Sequence, residues 1–129
     1  MERAVLVRHG ESVFSSRGLA NGRVDVRCPL SERGMEQARR LAEELAADEI
    51  DLCMTSELER AKQTAEIALA DRRVRRVVIR ELNDPLYGEY ESGPLADYLA
   101  WAIASGSAAE PPGGGEPRQA IVAIAMRNR

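Results

Sequence analysis

At 129 residues the chain is long enough for one domain, residues 1–129, that buries a core without disulfide or metal staples. Aliphatic residues and alanine carry its 44% hydrophobic content, aromatics are only 4%, and a net charge of −3 gives no reason to expect nucleic acid as a main partner. Cys28 and Cys53 are too few for a disulfide framework and lack metal-ligand partners at suitable spacing, and no run reaches transmembrane or signal-peptide length. A reduced, cytoplasmic setting with no membrane partner is the expectation.

Along the chain, strand and helix patterns alternate. Ala4-Val5-Leu6-Val7 has the length and branching of a buried strand. Leu30, Met35, Ala38, Leu41, Ala42 and Leu45 then recur at helical spacing, and Ser31 after Pro29 is a good N-cap, which predicts a helix from Ser31 to about Ala47. Asp51 to Thr55 reads as the next buried strand, and Leu58, Ala61, Ala65, Ala68 and Leu69 stripe a second helix. Arg72-Arg73-Val74-Arg75-Arg76 reads as a solvated connection, Val77-Val78-Ile79 as a third strand, and Leu95 to Ala104 as a helix. Ser105 to Pro117, rich in proline and glycine, is expected to be a flexible loop. Pro117 at a first helical position, with Ala120, Ile121, Ile124 and Ala125 at helical spacing, favours a final helix over a strand. The β-α-β-α-β order implies an α/β fold with a parallel sheet flanked by helices.

The one histidine of the chain, His9, falls with Arg8 and Gly10 just past the carboxyl end of the first strand, where open α/β sheets bind ligands. A neutral imidazole is a competent nucleophile. An adjacent guanidinium disfavours its protonation and offers a planar fork of donors to phosphate, and a glycine lets backbone amides approach an anion. Arg8-His9-Gly10 thus reads as a phosphoryl-accepting unit, with a helix-capping or core histidine as the competing reading. Transferring phosphoryl groups carry charge on three oxygens, so a second cation is needed. Arg60, near the start of the second helix, can supply it; alternatively it is a surface arginine paired with Glu57 or Glu59.

Arg8-His9-Gly10-Glu11-Ser12 resembles the signature of the histidine phosphatase superfamily, the phosphoglycerate-mutase-like proteins. Pro29 to Gly34 with Gln37-Ala38 resembles the opening of that family's first helix. Thr55 to Ala65 is similar to its second-arginine motif, and Leu82 to Glu91 to its acid-bearing loop. The likeness runs from about Val5 to about Glu116.

The resemblance implies a three-layer α/β/α fold with a mostly parallel sheet, and phosphomonoester hydrolysis through a phosphohistidine at His9. Arg8 and Arg60 would clamp the phosphate of a small phosphorylated metabolite, and no metal or other cofactor would be required. Leaving-group protonation falls to Asp84, four residues before Gly88, where the family usually has glutamate. Glu81 and Glu89 are substitutes, and a turn-capping role for Asp84 is the plain alternative. Gly10, Ser15, Asn21 and Gly22 are the substrate-binding candidates, Ser15 standing where the family has asparagine. The family's second histidine, at the end of a later strand, has no counterpart in this chain. C-terminal truncation is the expected reason, and a sheet left uncovered would favour a homodimer. Two alternatives stand beside hydrolysis: phosphoglycerate-mutase-type transfer, and a catalytically impaired module or pseudo-enzyme that binds inorganic phosphate.

Overall fold

The structure is a computed structural model that describes residues 2–106, 108–116 and 123–128. Its main elements are β1 (Glu2–Val7), α1 (Glu32–Glu44), β2 (Leu52–Thr55), α2 (Glu59–Ala68), β3 (Arg75–Val78), α3 (Leu95–Ser105) and β4 (Ala123–Asn128), with short 3-10 turns at Ser15–Arg17, Arg80–Leu82 and Gly88–Tyr90. Among the described residues no helix is long and apolar enough to cross a membrane.

The strand order is β1-β4-β2-β3. β2 and β3 pair in parallel, and β4 runs antiparallel between β1 and β2, so β1, β2 and β3 all point one way. β4 is a strand where helical spacing favoured a helix; Ile124 and Ala125 lie in it, and Ala120 and Ile121 fall outside the described residues. Short segments of alanine and isoleucine satisfy both periods. Position decides between them, because the facing edges of β1 and β2 each present amides and carbonyls that a strand can pair and a helix cannot.

Local signals otherwise carry through. Ser31 caps α1, its side chain accepting from the Gly34 N–H at 3.1 Å. The third strand begins two residues before the Val77 start, at Arg75, because an edge strand tolerates charged side chains facing water. Arg72 is not merely solvated: its guanidinium donates to the carbonyls of Leu45 and Asp48, closing the C-terminal end of α1. The Pro-Gly loop is likewise tied down, with Glu89 N–H donating to the Pro112 carbonyl at 2.7 Å and Glu116 N–H to the Leu86 carbonyl at 2.9 Å.

Leu45, Ile50, Cys53, Ala65, Ala68 and Leu69 form the core, with Val5, Leu41 and Val74 packed against it. Alanines on α2 let it lie close to α1 and the sheet. On the opposite sheet face, the register puts Leu6, Met54 and Val77 in one row, and Leu6 is 61% exposed.

Gly10 and Gly34 fix where β1 ends. A Cβ on Gly10 would lie 2.5 Å from the Gly34 carbonyl oxygen, and one on Gly34 would lie 2.0 Å from that of Glu11. The chain after His9 therefore touches the first turn of α1 backbone to backbone, which no larger residue permits.

Candidate active site

His9 follows β1, and its Nδ1 lies 2.7 Å from the Gly10 carbonyl oxygen. A carbonyl can only accept, so Nδ1 carries the hydrogen and the lone pair is on Nε2. Burial lowers the His9 pKa below its ordinary 6.5, and the positive charges of Arg60 and Arg8 push the same way, against the Gly10 carbonyl and Asp84. A neutral imidazole with a free Nε2 results at neutral pH.

His9 shares one cavity of about 440 Å³ with Arg8, Ser15, Asn21, Arg60 and Asp84. Arg60 is 4% exposed. It donates from Nη1 to Asn21 Oδ1 at 2.8 Å, and from Nη2 to the Asn21 carbonyl at 2.8 Å and to Asp84 Oδ2. The surface pairing with Glu57 or Glu59 does not form: Glu57 accepts from Asn83, and Glu59 pairs with Arg27. Asp84 reaches the cavity because Asn83 is held by both hydrogen bonds to Glu57, which anchors the loop before Pro85. Glu81 and Glu89 are exposed and do not line this cavity.

Three binding candidates are differently employed. Gly10 does not line the cavity; its amide donates to Thr64 Oγ1 at 3.0 Å, and glycine there allows the close approach to Gly34. The Gly22 amide, also off the cavity, donates to both Glu91 carboxylate oxygens, at 3.2 and 3.0 Å. Ser15 does line it, yet its hydroxyl is engaged with Ser12, donating to the Ser12 carbonyl at 3.1 Å and accepting the Ser12 amide at 2.8 Å.

Three further residues, given no individual role from the sequence, bear on the site. Tyr87 forms one wall, packed edge-on against Tyr98 with ring centroids 4.6 Å apart, and burial pushes its pKa up to about 12. Glu91 ties the Gly22 amide to the Tyr87 amide. Thr64 links Gly10 to α2, and its signal was present in the sequence: one polar residue on the inward stripe of Ala61, Ala65 and Ala68.

A neutral imidazole that shares one cavity with two arginines and a carboxylate is chemically suited to phosphoryl transfer through a histidine. The histidine phosphatase superfamily (branch 1) model matches residues 4–126, and this chain belongs to that superfamily. It is 42% identical over 89 residues to the adenosylcobalamin/alpha-ribazole phosphatase of Escherichia coli, covering 69% of this chain and 43% of that protein. It is 43% identical over 93 residues to the 2,3-bisphosphoglycerate-dependent phosphoglycerate mutase of Thermobifida fusca, 68% of this chain and 37% of that one. The solved alpha-ribazole phosphatase from Shigella flexneri superposes with a TM-score of 0.76 at 33% identity, over 91% of this chain and 59% of that structure. The chain thus spans about half the length of the curated phosphatases it matches, 43% and 52% for two of them.

Proposed function

We propose that this chain forms the phosphate-handling centre of a phosphomonoesterase that works through a phosphohistidine at His9. The observation that carries the reading is the His9 Nδ1–H bond to Gly10, which leaves Nε2 free in a cavity shared with Arg8, Arg60 and Asp84. Arriving phosphate monoester displaces Asp84 from Arg60, and the proton carried in on its monoanion passes to the freed carboxylate. Nε2 attacks phosphorus; the N–P bond forms as the ester P–O bond breaks, and the leaving oxygen takes the Asp84 proton. Water then attacks the phosphohistidine, gives a proton to Asp84, and returns the N–P electron pair to Nε2.

Hydrolysis is favoured over the mutase reaction by the walls. Beyond the phosphate end the cavity is lined by Phe14, Leu19, Leu82, Tyr87 and Leu95, and its lining cations are Arg8 and Arg60. Both are committed to the phosphate, and among the described residues lining the cavity there is no other lysine or arginine to meet a substrate carboxylate. Esters of uncharged alcohols fit such walls, and the alpha-ribazole phosphatases among the relatives make an alpha-ribazole phosphate ester the first to try.

The test is rapid-quench labelling with a phosphorylated substrate, followed by mapping of acid-labile phosphate. Label on His9 that is lost in His9→Ala is the expected result; undiminished turnover in His9→Ala overturns the reading.

A further inference from the structure

Thr64 sits on α2 one turn after Arg60, buried with it among Ala61, Ala65 and Ala68. A hydroxyl in that setting costs desolvation unless its bonding capacity is used. Both sides are used. Oγ1 accepts the Gly10 amide at 3.0 Å and donates to the Arg60 carbonyl at 2.8 Å. Helical threonines commonly bond back to the carbonyl four residues before, so the second bond is the common part and the first is not. Because the Gly10 carbonyl also accepts His9 Nδ1–H, three hydrogen bonds run from the imidazole through Gly10 and Thr64 to the turn that carries the Arg60 guanidinium.

Gly10 has little room to move within this run. Its Cα abuts Gly34 on one side, and the next amide, Glu11 N–H, donates to Gln37 Oε1 at 2.8 Å. Contacts with α1 hold the peptide after Gly10; Thr64 holds the peptide before it from α2. These two peptides orient the carbonyl that selects the His9 tautomer.

We propose that Thr64 is a positioning residue whose hydroxyl sets the orientation of the His9 imidazole relative to the Arg60 guanidinium, so that Nε2 faces a phosphorus held by the clamp. The proposal rests on the phosphohistidine reading above and adds to it the residue that joins nucleophile to clamp. Misplacement of a nucleophile by about 1 Å costs on the order of a hundredfold in rate.

Thr64→Val keeps the shape and removes the hydroxyl, whereas Thr64→Ser keeps the hydroxyl; Thr64→Cys, a weak donor and acceptor, replaces the valine variant should that fail to fold. With a generic aryl phosphate, kcat is expected to fall about ten- to a hundredfold in Thr64→Val with KM within about twofold, and to stay within about threefold in Thr64→Ser. Nitrogen NMR of His9 in the same ligand-free proteins should show the Nδ1–H tautomer in the parent and Thr64→Ser, and a mixture with Nε2–H in Thr64→Val or Thr64→Cys. That measurement needs no turnover, so it stands even if His9→Ala shows the phosphohistidine reading to be wrong. Wild-type kcat with an unchanged tautomer in the hydroxyl-free variant overturns the proposal, as does an equal loss in Thr64→Ser, which would assign the effect to packing.

Discussion

Arg60 and Asp84 pair across the His9 cavity, the arginine side chain 5% exposed and the aspartate 26%. Under the proposed mechanism, Asp84 therefore occupies the guanidinium that phosphate would take. The same contact keeps Arg60 from being an unpaired buried cation in the ligand-free protein.

Two substitutions separate these effects. Asp84→Asn keeps an oxygen facing Arg60 but cannot protonate a leaving group, so turnover should fall about 10²–10⁴-fold. Phosphate or vanadate affinity should hold or improve, because the competing charge is gone. Arg60→Ala should weaken both, with a transition-state loss on the order of 2–4 kcal/mol. Isothermal titration beside steady-state kinetics reads the two; a loss of vanadate binding in Asp84→Asn would contradict the displacement step.

His9 makes stability depend on pH in a defined direction. Its pKa is lowered in the folded chain, by burial first, from an unfolded value near 6.5. Between the two values the unfolded chain binds more protons, so this contribution to stability is complete above pH 6.5 and is lost as pH falls toward the folded pKa. Urea midpoints measured from pH 7.5 to 5 should drop in the parent and drop less in His9→Gln. The acid limb of kcat/KM should fall below pH 6.5 for the same reason.

Tyr87 gives the opposite sign at the alkaline end. Held up at about 12 by burial first, then by the nearby Asp84 charge, it remains protonated where an ordinary tyrosine ionises. The folded chain binds more protons between 10 and about 12, so stability falls as pH rises through that window. Spectrophotometric titration should show a late phase that shrinks in Tyr87→Phe; an unchanged curve in Tyr87→Phe would refute this.

Gly34→Ala tests the contact between α1 and the chain after His9. The added methyl would meet the Glu11 carbonyl at 2.0 Å, a backbone atom with no rotamer to yield. A loss of about 3 kcal/mol is expected by denaturant titration. Gly18→Ala, at φ 68° with nothing within 4 Å, should cost only about 1 kcal/mol.

Local chemistry in the sequence determined the end of β1 with Arg8 and His9 beyond it, the Ser31 cap, the inward stripe of α2 and the place of Arg60 in its first turn. Each depends on neighbours within a turn or a strand length, which sequence shows directly. Other features were decided by partners far along the chain. Ile124 and Ala125 became strand because β1 and β2 left edges to fill. The Gly10 amide went to Thr64, 54 residues away, and the Gly22 amide to Glu91, 69 away. Asp84 met Arg60 only when the Asn83 loop was pinned to Glu57. Hydrogen-bond capacity is legible in a residue's type, but where it is used depends on which segments fold against it.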